Sequence, residues 1–425
     1  MEETIRFSII IPAYNAAKAL PHLIQSIEKQ TYAPYEVLFI NDCSTDDTAM
    51  ILDDLAKDPG HQGWRAYHQP KNAGVSACRN KGIGLASGDY ILFIDADDWI
   101  EPNLLEKVAF YLQNQMPDVL AFGVFEDYLD QEQSVYYSNT HTLEKRLAGE
   151  SVDFAKMIYE LERETLYGYP WNKVYRTSLL QENHIQFPAM SFSEDFFFNA
   201  EVYDYATSAM TIPEVLYHYQ NQTGDRLTDR YVPDYFSIQK RRYTRVLEQI
   251  VGGLRSEEAT SLTDMATPLT EQATPLADMA TSLSESTLYQ ETLELLAGRY
   301  FRSFASMIDR EIQHGAGKAQ ILDMIEHEMT GFQTDTEQIL NEGQAPDAEQ
   351  ILNEGQALDA EQILHTEPSL FAILSPHLDK GGLVTEFLYR PLAEGRGRTA
   401  YGRMMLFHRV KRLCPRLYNR LKQNR

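Results

Sequence analysis

Three short runs constrain this chain most: "FSIIIPAYN" from Phe7, "YEVLFINDCS" from Tyr35 and "YILFIDADDWI" from Tyr90. Each is largely apolar for several residues and then turns abruptly polar. Between them lie helical patterns: Ala17 to Gln30 with Leu20, Leu23, Ile24 and Ile27 on one face, Thr45 to Lys57 with Ser44 or Thr45 as cap, and Val75 to Ala86, besides a short strand over Trp64 to His68. Near-continuous apolar strands alternating with helices predict a parallel sheet covered on both faces by crossover helices. In such a sheet the polar ends share one edge, where ligands of open α/β folds gather. That edge would carry Tyr14 and Asn15, Asn41 and Asp42, and Asp95 to Asp98.

Beyond Glu101 the pattern is mixed. "PDVLAFGVFEDYL" reads as a strand, "YGYPWNKVYRTSLLQEN" as a loop and helix, "SFSEDFFFNAEVYDYA" as a loop entering a helix, and "EVLYHYQNQ" as a late strand. An α/β domain over 1–225 followed by a mainly α-helical region over 226–425 is expected. That second region holds two tandem repeats. Residues 259–286 spell four sevens beginning "ATSLTDM", with Ala and Leu at coiled-coil spacing, so a homo-oligomeric coiled coil is one reading. Pro268 and Pro275 oppose it, since each costs about 3 kcal/mol inside a helix, and a linker fits better. Residues 335–364 repeat "DAEQILNEGQA" with Asp335, Asp347 and Asp359 twelve apart, each copy a short capped turn stopped at Gly.

A formal net charge of −24 opposes general nucleic-acid affinity. Arg390 to Arg425 departs from it, with eleven basic residues against Glu394 alone. Within 400–425, Leu406, Val410, Leu413, Leu417 and Leu421 stand at helical spacing among those bases. Such a helix can lie on an anionic membrane surface or pack on the acidic body of the chain. The three cysteines, Cys43, Cys78 and Cys414, form no C-x-x-C pair, which suits a reducing compartment. With no signal-peptide pattern at the N-terminus and no run of about 18 apolar residues, the expected location is the cytoplasm, at the inner face of the membrane if the tail binds it.

Asp95 and Asp97, two apart at a strand end, point the same way, and Asp98 follows. Hard cations take such oxygen ligands and commonly hold substrate phosphates as well. A helix cap before "WIEPNLLEKV" explains Asp98 equally well. The surrounding segments decide between these readings. "SIIIPAYNAAKALPHLIQSIEKQTYAPYEVLFINDCSTDDT" and "NAGVSACRNKGIGLASGDYILFIDADDWIEP" closely resemble the nucleotide-sugar-binding half of the family 2 glycosyltransferases, closely to about residue 105 and more loosely to about 225.

The resemblance implies a GT-A fold, a Rossmann-like, mixed and mostly parallel sheet. It makes Pro12, Ala13 and Tyr14 the loop against the base and Asp42 the acceptor of a hydrogen bond from uracil. "NDCSTD" departs from the family's "DDGSTD" at Asn41 and Cys43. Asp95, Asp97 and Asp98 correspond to the metal and donor-sugar motif, with Asp97 and Asp98 closest to Mn²⁺ or Mg²⁺. Arg79 could meet the diphosphate or form an ion pair. "FSEDFFFN" supplies the general base, Asp195, with Glu194 the competing candidate. Its phenylalanines would bury the acids and raise a pKa. In "YPWNKVYR", Trp171 and Tyr169 could stack on an acceptor sugar and Lys173 reach a phosphate, while His218 is either a third metal ligand or a packed strand residue.

The implied activity is inverting transfer from a UDP-sugar to a saccharide or lipid-linked acceptor in surface polysaccharide or glycolipid synthesis. A non-catalytic sugar-nucleotide-binding or scaffold protein on the same fold is the alternative, against which the intact acids stand. A nucleotidyltransferase would need a Gly-rich, basic loop that "PAYNAAKAL" lacks.

Overall fold

The computed structural model describes residues 4–130, 134–190, 192–221, 232, 234–264, 286–330, 389 and 403. Strands β1 (Phe7–Ala13), β2 (Tyr35–Asn41), β3 (Trp64–His68) and β4 (Tyr90–Phe93) alternate with helices α1 (Leu20–Glu28), α2 (Thr48–Lys57) and α3 (Val75–Leu85). β5 (Trp99–Ile100), α4 (Leu104–Gln115), β6 (Val119–Leu129), β7 (Val135–His141), β8 (Arg146–Ala148) and α5 (Ser151–Arg163) follow. β9 (Lys173–Arg176), α6 (Thr177–Glu182), α7 (Glu194–Tyr205) and β10 (Ala209–Asn221) complete the sheet region.

All ten strands form one sheet in the order β3-β2-β1-β4-β9-β6-β10-β5, with β7 paired to β6 and β8 to β10. β1 pairs in parallel with both β2 and β4. The chain therefore leaves β1 in opposite directions across the sheet, and the carboxyl ends of β1 and β4 flank a topological switch point. β9 runs antiparallel between β4 and β6, so β4, β6 and β10 still point the same way as β1. The expected mixed, mostly parallel sheet is present, and β1 and β4 are buried along their whole lengths.

Close packing sets the register of α3. A Cβ at Gly82 would lie 2.4 Å from Ile10 Cγ2, so only Gly lets this helix seat on β1. Gly74 begins the helix with φ +87°, a conformation costly to L side chains.

Sequence periodicity misses several elements. β9 lies where a loop is expected, because "KVYR" is too short and polar to read as a strand; long-range pairing to β4 and β6 creates it. β5, β7, β8 and α5 were also unanticipated, β7 because its residues are mostly exposed. α2 begins at Thr48 without a side-chain cap. Ser44 and Thr45, the expected caps, instead bind Asn41 and Asn15.

The chain divides into two compact units, Met1–Val232 with Glu248–Met279, and Pro233–Leu247 with Ala280–Arg425. The second contains part of α8 (Tyr235–Asp264), with α9 (Thr287–Gln313) and α10 (Lys318–Thr330), so its described residues are helical as expected. Phe236 stacks on Phe304, Tyr243 meets Ser303 at 2.7 Å, and Lys240 pairs with Glu328 at 2.8 Å. α8 reaches into the first copy of the sevenfold repeat and ends at Asp264. The rest of that repeat before Ser286, the second repeat and almost all of the basic tail lie outside the described residues. Among the described residues, no helix is long and apolar enough to cross a membrane.

Candidate active site

The polar ends of β1 and β2 are stitched together. Asn15 donates its N–H to Ser44 Oγ at 3.0 Å and accepts from Thr45 N at 2.8 Å, while Ala16 N binds Thr48 Oγ1 at 2.8 Å. Pro12 and Ala13 are buried in β1, and Tyr14 is 52% exposed beyond it. Two non-glycine residues here are left-handed, Asn15 at φ 50° and Cys43 at φ 59°. The second accounts for the "NDC" departure: the chain needs positive φ where the family pattern has Gly, and Cys adopts it at a steric cost.

Asp42 is 4% exposed, and its two carboxylate oxygens accept from Ala73 N and Gly74 N, each at 2.8 Å. Its observed work is to clamp the turn leading into α3. Each oxygen so engaged keeps a second lone pair, and the clamp holds the carboxylate fixed at the end of β2.

Aromatic packing places α7. Phe198 stacks on Phe187 at 3.8 Å and meets Phe93, the last residue of β4, edge-on at 5.9 Å. Asn199 accepts from Tyr175 Oη at 2.8 Å and donates to the Gly168 carbonyl. These contacts set the first turn of α7 over the end of β4. Ser193 precedes it at φ 64°, with no capping bond and its Oγ buried without a partner among the described residues. No side chain caps this helix, and backbone strain of this kind collects at functional sites.

Arg79, 2% exposed on α3, joins what the sequence separates. It donates to Asp195 at 2.5 Å and to Asp95 at 2.7 Å, with its guanidinium 5.1 Å from the Phe187 ring centre. It is an internal bridge, which corrects its assignment to the donor diphosphate. Burial opposes its charge, but Asp195 and Asp95 outweigh that and hold it firmly protonated. Burial pushes Asp195 up to about 7; Arg79 opposes the rise, and Glu194 and Asp95 add to it.

The three acids after β4 separate. Asp97 is open to solvent, yet the density of protein around it, and then the Asp95 charge, push its carboxyl up to about 6. Asp98 is turned inward, accepting from Tyr217 Oη at 2.6 Å and Gln220 N at 2.8 Å. Burial, then Asp97 and Asp95, raise it well above the usual carboxylate range. Its expected place as a metal ligand is corrected: it ties β10 to the edge. Tyr217, which periodicity did not single out, is its partner, and alternation with His218 in "LYHYQ" is the signal that places it on this face.

Asp95 and Asp97 remain as oxygen ligands suited to Mg²⁺ or Mn²⁺. A cation there would relieve the repulsion that raises Asp97. Among the described residues no cluster of three or more His, Cys, Asp and Glu is ready for a metal, so water and diphosphate oxygens would complete the shell.

His218 is not a metal ligand, because both its nitrogens are committed, Nδ1 to Asp127 at 2.6 Å and Nε2 to Glu101 at 2.9 Å. Burial favours the neutral ring, but these two carboxylates raise its pKa on balance. Lys173 is likewise corrected. It is fully buried, and its amine donates to the carbonyls of Leu166 and Tyr169 and to Asn172 Oδ1 within 2.8 Å. Burial pushes it well below the usual lysine range, and it cannot reach an acceptor phosphate. Trp171 is also buried, stacked on Tyr169 at 4.6 Å and Tyr217 at 4.7 Å. The ring open to solvent is Tyr169, 39% exposed.

Residues 8–183 match the family model described as glycosyl transferase family 2. EpsH of Bacillus subtilis strain 168, named as a glycosyltransferase, is 30% identical over 225 residues, 51% of this chain and 61% of its own. GlyA, a glycosyltransferase of Streptococcus pneumoniae, is 27% identical over 221 residues, covering 52% and 31%. The poly(ribitol-phosphate) β-N-acetylglucosaminyltransferase TarS of Staphylococcus aureus is 26% identical over 248 residues, covering 56% and 39%. The chain thus spans between 31% and 61% of the length of these curated relatives. The crystal structure of S. aureus TarS 1–349 with UDP-GlcNAc superposes with a TM-score of 0.48 at 22% identity, covering 73% of this chain and 86% of that one, a likeness too slight to bear weight.

Proposed function

Because residues 8–183 match the family model described as glycosyl transferase family 2, we propose that the protein is a glycosyltransferase of polysaccharide or glycolipid synthesis that moves a sugar from a UDP-sugar to a saccharide or lipid-linked hydroxyl with inversion. The single observation that carries this reading is the Asp95–Arg79–Asp195 bridge. It brings a donor-side acid and a part-buried acid 100 residues later in the chain to one sheet edge. Pro12, Ala13 and Tyr14 form the wall for the base.

Asp195 is the general base. A group with a pKa of about 7 is ionised enough near neutrality to accept a proton and basic enough to draw it from a hydroxyl. As it takes the acceptor proton, the acceptor oxygen bonds the anomeric carbon and the bond from that carbon to the diphosphate breaks, releasing UDP. A single displacement of this kind inverts the anomeric centre. Arg79 keeps the base aimed at the edge, and Glu194 raises its basicity through charge. Asp95 and Asp97 would hold a divalent cation, whose chemistry is to neutralise charge developing on the departing diphosphate. A protein that only bound sugar nucleotides would have no use for an acid held by Arg79 beside the donor-side Asp95. We assign 1–225 to the catalytic domain, with the helical remainder as its appendage.

The test is a screen of UDP-sugars for Mn²⁺-dependent UDP release by wild type, Asp97→Ala and Asp195→Asn. Failure of wild type to bind or turn over any UDP-sugar overturns the donor reading. Full transfer by Asp195→Asn overturns the base alone.

A further inference from the structure

The arm formed by β6, β7 and β10 has two unlike faces. On one, His218 stacks between Trp99 at 5.0 Å and Phe125 at 4.6 Å and is packed. On the other, the strand register sets Tyr219, Glu126 and Asn139 in one row and Asn221, Tyr128 and Tyr137 in the next. Tyr217, one row back on β10, reaches Asp98 with its hydroxyl and stacks on Trp171. The second face is therefore continuous with the acidic edge.

It begins and ends in aromatic rings. Near the acids, Tyr169 lies 6.4 Å from Tyr219, both stacked on Trp171. Farther out, Tyr137 is 56% exposed and lies 5.5 Å from Tyr128. Between them Glu126 accepts from Asn221 Nδ2 at 2.6 Å and Tyr128 Oη at 3.0 Å, and Asn139 meets His141 at 3.1 Å. With strands about 4.8 Å apart and a rise of about 3.3 Å per residue, Tyr219 and Tyr137 stand about 12 Å apart, room for a short run of linked sugar rings. Rings at both ends of a hydrogen-bonding ladder suit a polyhydroxyl ligand, whose C–H faces stack while its hydroxyls exchange hydrogen bonds.

Charge narrows the ligand further. No Lys or Arg occupies these register positions. Glu126 is held ionised, down to about 2, chiefly by His141. A carboxylate held ionised, in rows that carry no Lys or Arg to offset it, opposes a phosphate-bearing polymer.

We propose that this face is the track for an uncharged oligosaccharide acceptor, with Tyr169 and Tyr219 holding the sugar nearest the acids and Tyr137 one farther out. The inference rests on the glycosyltransfer reading above and names its acceptor class, distinct from the polyol phosphate in the name of TarS. Native affinity electrophoresis of the full chain tests it, through gels carrying laminarin, galactomannan or poly(ribitol phosphate), with UDP binding measured calorimetrically on the same samples. At least one neutral glycan should retard wild type and poly(ribitol phosphate) should not. Tyr137→Ala and Tyr219→Ala should each weaken glycan binding about tenfold, Tyr137→Phe should restore it, and UDP affinity should hold in Tyr137→Ala. Retardation by poly(ribitol phosphate) alone, by no neutral glycan, or equally by wild type and both alanine variants overturns the track. UDP binding without glycan binding defeats only the track, whereas loss of UDP binding in wild type defeats the donor reading.

Discussion

Acids at the two edges of the sheet have opposite surroundings. At the amino edge, Glu36 on β2 is fully buried, yet it accepts from Ser8 Oγ at 2.7 Å, Ser87 N at 2.8 Å, Ser87 Oγ at 2.7 Å and Arg65 at 2.8 Å. Burial raises its pKa, but those bonds and Arg6 bring it below the usual value. At the carboxyl edge, Asp95 and Asp195 share one guanidinium, Asp97 adds a third charge, and Asp97 and Asp195 are raised. An acid whose bonds are saturated stabilises the fold. Acids left short of positive charge favour a cationic partner, which is the ground for proposing the carboxyl edge as the working one.

The comparison is broken most severely by the same exchange at each edge. Asp195→Asn should lower transfer by about 10²- to 10⁴-fold and shift the melting temperature little, read by UDP release and calorimetry. Glu36→Gln should do the reverse, costing about 3 kcal/mol of stability by leaving Arg65 and the serine donors mismatched, with kcat per folded molecule preserved in denaturant-titrated samples. If both variants lose only activity, the distinction between the edges fails.

Lys173→Met comes next. Three oxygens lose a buried donor, so urea unfolding should show a loss of about 2 kcal/mol, while KM for acceptor stays put; a large rise in KM would return Lys173 to acceptor binding. Cys43→Gly is smaller and of opposite sign, a gain of up to about 1 kcal/mol from relieving φ 59°, seen as a higher melting temperature.

Acidity sharpens the contrast. Asp97 and Asp195 have raised folded pKa values, so their folded state binds more protons than the unfolded chain between the ordinary value of 3.8 and about 6 or 7. Their contribution to stability is greatest at low pH and falls as pH rises through that window. Glu36 is lowered, so its contribution is present above 4.5 and is lost as pH falls through its folded value. Activity should fall below a pH of about 7 as Asp195 takes up its proton, and Asp97→Asn should lessen the rise in stability on acidification, followed by melting across pH 4 to 8.

Much of this was legible along the chain. Apolar runs located β1 to β4, their polar ends marked the edge, and "FSEDFFFN" marked an acid among aromatics. β9, built from "KVYR", was not legible, because its pairing to β4 and β6 lies outside its own residues. Lys173 and Asp98 were misread for a related reason. Both look like surface chemistry in sequence, and both turn inward, Asp98 onto Tyr217 and Gln220 far along the chain and Lys173 onto oxygens of the loop that precedes it.

By itself, the sequence determined the period of β1 to β4 and the helices between them, the chain order of the acids and the aromatic anchors beside them, because these depend on neighbours a few residues away. Only the tertiary structure decided which acid is saturated, which is bridged and which stands open. Desolvation and pairing are set by groups far off in the chain, Arg79 between Asp95 and Asp195 above all, and no local pattern encodes them.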